Sequence, residues 1–247
     1  MIKKTIGVLG GMGPESTAIF YKQLIKECQK QYGAKYDKDF PEIIIYNLPI
    51  PDPVSKIENS EKTIQMMVQT INKLQSIGSE FVVMPCNTSH YFYDEVKKRI
   101  NLPFINMLSE TSKKVEKAGI KKVGILATNS TIKYNLYNKE FSKRNIELIV
   151  PEQQNKLNEV IYNILSGKKL QEDETILRRI IDDLLSKGVK AILIGCTDIP
   201  VLLNKNNYPD VLFFDSIDIL AESTIKYTIS GSENYESKTS TSTSKRC

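Results

Sequence analysis

The sequence predicts an α/β fold in which parallel sheets, covered by helices on both faces, form two units of similar size. Three observations carry the prediction. Short continuous apolar runs alternate with longer stretches of helical spacing, glycines close several of those stretches just before the next run, and the layout of the early chain recurs later.

Taken in order, TIGVLG (5–10) is apolar on consecutive positions and ends in glycine, which suits a strand buried on both faces. Thr17–Tyr32 has helical spacing, and EIIIYNL (42–48) is the next strand. Glu61–Ile77 is helical and is closed by Gly78 before the strand FVVMP (81–85). FINM (104–107) reads as a strand and Ser109–Ala118 as a helix, followed by strands at VGILAT (123–128) and IELIV (146–150). Asp173–Lys187 is helical and capped by Gly188, after which come the strands AILIG (191–195) and LFFD (212–215). The tail 230–247 is almost wholly Ser, Thr and charge, and is expected to be disordered.

The repeat pairs KKTIGVLGGMGPEST (3–17) with KKVGILATNST (121–131), and SIGSEFVVMPCNT (76–88) with SKGVKAILIGCTD (186–198). Each unit then has a polar loop after its first strand and a cysteine at the end of a later one. Two unrelated α/β units would also share glycine-capped strands, so the repeat alone leaves that alternative open.

Composition narrows the function classes. The 247 residues are 40% hydrophobic and 26% charged, as in a soluble globular protein. The net charge of +5 is dispersed in mixed groups such as KKVEK, which argues against a nucleic-acid partner. The apolar run at the N-terminus stops at Leu9 and enters glycines, so neither a secretory signal nor a membrane span is expected, and a cytoplasmic location follows by default. Cys28, Cys86, Cys196 and Cys247 form no CxxC, and one histidine cannot build a histidine-based metal site, so no metal is expected.

In an open parallel sheet, ligands bind beyond the carboxyl ends of the strands, where helix N-termini present N–H groups. GGMGP, PCNT, ATNST and GCTD all fall at such ends. Their small, hydroxyl and amide residues suit a small anion, whereas the incomplete glycine motif indicates no nucleotide cofactor. Cys86 and Cys196, each at a helix start, are expected to ionise readily. Two thiols flanking one carbon can remove a proton from one face and return another to the opposite face, which inverts the centre. Each sulfur would then lie about 3 to 3.5 Å from that carbon, and the pair roughly 6 to 7 Å apart. A cysteine at a strand end is also often a plain buried residue. His90 shares a face with Cys86 if 87–96 is helical, where it either tunes the thiol or points to the surface.

GVLGGMGPEST, MPCNTSH, GILATNST and GCTDIP, in this order, resemble the aspartate/glutamate racemase family and its aspartate racemase branch, over about residues 2–228. The resemblance implies two pseudo-symmetric, Rossmann-like domains with the active site in the cleft between them: 1–104 plus 210–229, and 105–209. It implies no cofactor, an amino-acid substrate, a homodimer, and Cys86 and Cys196 as the acid/base pair. It further implies that Asn87, Thr88, Thr128 and Thr197 hold the substrate's α-carboxylate and amino group, and that Gly11, Met12 and Gly13 close one side. Asp198 would orient Cys196 or the amino group.

An acidic amino acid, aspartate first, is the expected substrate, with glutamate or a broader range as the wider option. Departures bear on this choice. Where related aspartate racemases often carry an arginine after IPD, this chain has Pro53, and where a lysine is common the nearest residue is Ser166. Lys56, Lys168 and Lys169 are the candidate substitutes. Two other readings fit the same architecture: an isomerase or decarboxylase of other small carboxylates, and a non-catalytic protein that binds them.

Overall fold

A computed structural model of the chain describes residues 3–51, 60–168 and 170–236, with side chains through 230. The first sheet joins β1 (Ile6–Gly10), β2 (Ile43–Asn47) and β3 (Phe81–Val83) in the order β2-β1-β3, all parallel. Around it lie α1 (Pro14–Tyr32), α2 (Ser60–Ser76) and the short α3 (Tyr93–Lys97), while α4 (Met107–Lys117) joins the two units, with Met107 in the core of the first and Leu108 and Val115 in that of the second. The second sheet joins β4 (Lys122–Leu126), β5 (Glu147–Ile149), β6 (Ala191–Ile194) and β7 (Leu212–Asp215) in the order β5-β4-β6-β7, again all parallel. Its helices are α5 (Asn129–Lys133), α6 (Asn138–Ser142), α7 (Gln154–Leu165) and α8 (Gln171–Ser186), and α9 (Ser216–Glu236) closes the described chain.

Both faces of each sheet are covered, which is why the strands read as unbroken apolar runs. Ile6 and Val8 pack with Phe20 and Leu24 of α1, while Leu9 and Val82 pack on the opposite face with Met67, Ile71 and Leu74 of α2. The second sheet repeats the division, with Val123 and Ile125 on one face and Leu126 on the other. The expected glycine stops are present: Gly78 and Gly188 have φ of 109° and 78°, where a side chain would be strained.

Three sequence expectations change. FINM forms no strand: Phe104 makes a single bridge to Val82, because Pro103 lacks an N–H and the chain turns at once into α4 under the cap of Asn106. The return expected at about residue 210 begins later, since β7 is hydrogen-bonded to β6 in the second sheet. Only α9 lies against the first unit, with Ile217, Leu220, Ala221 and Ile225 buried beside Phe20 and Leu24. The tail expected from 230 is helical through Glu236; residues 237–247 lie outside the described residues.

Candidate active site

Four loops at the carboxyl ends of β1, β3, β4 and β6 enclose one cavity of about 180 Å³. Its lining contains all ten residues singled out from the sequence: Gly11, Met12, Gly13, Cys86, Asn87, Thr88, Thr128, Cys196, Thr197 and Asp198. Ile50, Leu165 and Gly195 complete it. Two loops come from each sheet, so the thiols enter the cavity from different halves of the molecule.

The β1 loop is shaped by its own residues. Gly11 has φ of 92°, and its N–H donates to the Thr17 hydroxyl at 3.0 Å, which in turn donates to the Gly13 carbonyl at 2.9 Å. Pro14 then starts α1 at a position where its missing N–H costs nothing. Two residues on, the buried Ser16 hydroxyl reaches the opposite unit. It donates to Asp198 Oδ1 at 3.1 Å and lies 2.6 Å from the Thr197 hydroxyl, bonding two lining residues of the second half to the first.

Across the cavity, Thr128 caps α5 by accepting the Thr131 N–H at 3.1 Å. The hydroxyl of Thr88 stands 3.0 Å from that of Thr128 and 3.1 Å from that of Thr131, a cluster that again spans the two halves. Asn87 is fixed at both ends of its amide. Its Nδ2 donates to Ser216 at 2.9 Å, and its Oδ1 accepts from the Tyr137 hydroxyl at 2.5 Å. The second N–H of that Nδ2 is used by neither bond. Ser16, Tyr137 and Ser216 are the supports that sequence reasoning missed. Ser16 lies inside the quoted GVLGGMGPEST motif, but nothing local singled out Tyr137 or Ser216.

The electrostatics differ from expectation. Burial pushes the Cys86 thiol up, against the opposing pull of the Ser89 hydroxyl and N–H. Burial raises Cys196 well above the ordinary thiol value, and the Asp198 carboxyl beside it, 3.5 Å from Sγ to Oδ2, adds to the shift. Asp198 itself is raised by burial, while its bonds from Ser16 and Cys196 draw it back. The helix starts expected to ease ionisation are short, the 3₁₀ segment Thr88–Phe92 that runs into α3 and the single 3₁₀ turn Ile199–Val201, and desolvation outweighs them.

His90 neither meets the sulfur of Cys86 nor faces solvent. Its Nδ1 is 2.7 Å from the Cys86 carbonyl oxygen, and its Nε2 accepts the Met107 N–H at 3.0 Å. The ring is therefore neutral, with Nδ1 protonated, and it braces the Cys86 loop against α4. Burial lowers its pKa to about 4. Because the unfolded chain takes up that proton near pH 6.5, the neutral ring favours the fold fully above that value. The protein should lose on the order of 3 kcal/mol of stability as the pH falls from 6.5 towards 4. Urea unfolding at successive pH values checks this, and the slope in that window should shrink in His90→Asn.

Of the candidate cations, Lys168 is exposed and outside the cavity lining, as is Ser166. Pro53, Lys56 and Lys169 lie outside the described residues. Among the described residues, no group of three or more His, Cys, Asp or Glu side chains could hold a metal ion, and no helix is long and apolar enough to cross a membrane.

A family model described as Asp/Glu/Hydantoin racemase matches residues 9–224. The broad specificity amino-acid racemase RacX of Bacillus subtilis (strain 168) is 30% identical over 221 residues, covering 89% of this chain and 96% of that protein. Among solved structures, an aspartate racemase homologue from Pyrococcus horikoshii OT3 is 29% identical with a TM-score of 0.77, covering 91% of this chain and 99% of that one. The aspartate racemase of Picrophilus torridus is also 29% identical, with a TM-score of 0.74 and coverage of 91% and 94%.

Proposed function

This chain belongs to the Asp/Glu/hydantoin racemase family and is a racemase, and we propose that it inverts the α-carbon of an amino acid using Cys86 and Cys196 as its acid/base pair. The observation that carries the proposal is the meeting of two thiols, one from each half, in a single small cavity whose remaining polar lining suits an α-amino acid.

The substrate carboxylate is held by the hydroxyls of Thr88, Thr128 and Thr197 and by the second N–H of Asn87 Nδ2. Its ammonium lies against Asp198, which Ser16 holds in place. That ammonium brings positive charge into a site where burial disfavours thiolate, so a thiolate forms more easily once substrate has entered. The thiolate on one face takes the α-hydrogen as a proton and leaves the electron pair on the carbon, delocalised into the carboxylate. The thiol on the opposite face gives its proton to that carbon. The centre is inverted, and the two cysteines have exchanged protonation states, ready for the reverse reaction. The same reading takes the protein as a cytoplasmic homodimer that works without an organic cofactor.

Incubation of the purified protein with enantiopure amino acids in deuterated buffer tests the proposal. Conversion of one enantiomer into the other should be accompanied by solvent deuterium at the α-carbon. Turnover that leaves the α-hydrogen in place would rule out the proton-transfer reading.

A further inference from the structure

We infer that the cavity selects an α-amino acid with a neutral aliphatic side chain over an acidic one, with Ile50 and Leu165 as the specificity-determining residues. The inference rests on the racemase reading above and adds the substrate class to it.

Once the thiols and the polar grip are assigned, Met12, Ile50 and Leu165 are the hydrophobic lining residues that remain. Ile50 follows β2 and packs in the cluster that contains Met12 and Cys86. Leu165 comes from the other half as the last residue of α7, and although it lines the cavity it is 42% exposed. Each unit thus supplies one branched aliphatic residue to the space left for a side chain.

Charge points the same way. Asp198 is the only ionisable residue besides the two cysteines in the described lining, and it is an acid. A zwitterionic amino acid with an aliphatic side chain enters with no net charge and buries its methylenes against Ile50 and Leu165. A second carboxylate would lose its hydration beside Asp198 and against hydrocarbon, with no cation among the described lining residues to meet it. Lys168, three residues past Leu165, is exposed and outside the lining, and Lys205 is bonded to Asp215. The aspartate-first expectation gives way to an aliphatic substrate on these grounds.

The test ranks kcat/KM for L-leucine, L-methionine, L-aspartate, L-glutamate and L-lysine by chiral chromatography, with α-deuterium incorporation as a parallel readout. Leucine or methionine should exceed both acidic substrates by roughly 10-fold or more. Leu165→Lys, a change at a partly exposed position, should shift the aspartate-to-leucine ratio at least about 10-fold towards aspartate by placing a cation in the lining. Wild-type preference for aspartate, glutamate or lysine, or a ratio unmoved by Leu165→Lys in a folded variant, overturns the inference while leaving the two-thiol mechanism intact. No α-deuterium incorporation with any of the five amino acids overturns the racemase reading and this inference with it.

Discussion

Replacing Cys86 by serine lowers racemisation by roughly 10²–10⁴-fold, and replacing Cys196 does the same, because a serine hydroxyl is too weak an acid to exist as the base at neutral pH. The double replacement is barely worse than either single one, since the two groups act as a unit. The informative readout is α-hydrogen exchange. Each single variant keeps one sulfur on one face, so it should exchange the α-hydrogen of one enantiomer and return deuterium to the same face without inversion. The enantiomer affected should be opposite in the two variants. Both thiols line the same cavity and are buried in the packing around it, and serine is close to cysteine in size, so the variants should remain folded. Near-normal racemisation by both single variants would sink the two-thiol mechanism.

Gly11→Ala is expected to have the next largest effect, here on the fold of the site. A Cβ at this position would stand 2.6 Å from the Leu48 backbone nitrogen and 2.7 Å from its oxygen, and φ of 92° strains any side chain. Neither obstacle can move easily, because the Leu48 N–H is itself bonded to the Gly10 carbonyl at 3.0 Å. The combined strain and overlap should cost about 2 to 4 kcal/mol. The melting temperature should then fall by roughly 5 to 15 °C for a chain of this size. Gly13→Ala is the control: nothing lies within 4 Å of its Cβ and its φ is −90°, so the melting temperature should hardly move. Calorimetry of the two variants decides, and equal melting temperatures would show that the β1 loop is not held as described.

How much of this was legible beforehand depended on how local the signal was. The strands of both sheets and the helices α1, α2, α4 and α8 follow from periodicity and capping, which operate within a few residues. FINM failed because one proline vetoes the pairing its neighbours favour. The helix α7 was missed although Leu157, Val160, Ile161 and Ile164 lie on one face at helical spacing. The site was proposed from four short motifs; the ten residues taken from them as cysteine pair and substrate grip line one cavity, whereas His90 of the same motifs lies outside it. What could not be read was set by distance along the chain. Tyr137 meets Asn87 from 50 residues away, Ser216 from 129, and Ser16 meets Asp198 from 182. The ionisation of the thiols was misjudged for a similar reason. Helix starts are visible in a sequence, but the desolvation that outweighs them belongs to the folded molecule.

The two sulfurs do not have equivalent neighbours: Cys86 has the Ser89 hydroxyl and Cys196 has the Asp198 carboxyl. Mirror-image amino acids have equal free energy in solution, so catalytic efficiency must balance between the L-to-D and D-to-L directions. Unequal flanking groups can therefore alter only how tightly each enantiomer is held and how fast it reacts once held, always by compensating amounts. The departure from internal symmetry gives the enzyme a handed grip on its substrate while leaving the final mixture of enantiomers untouched.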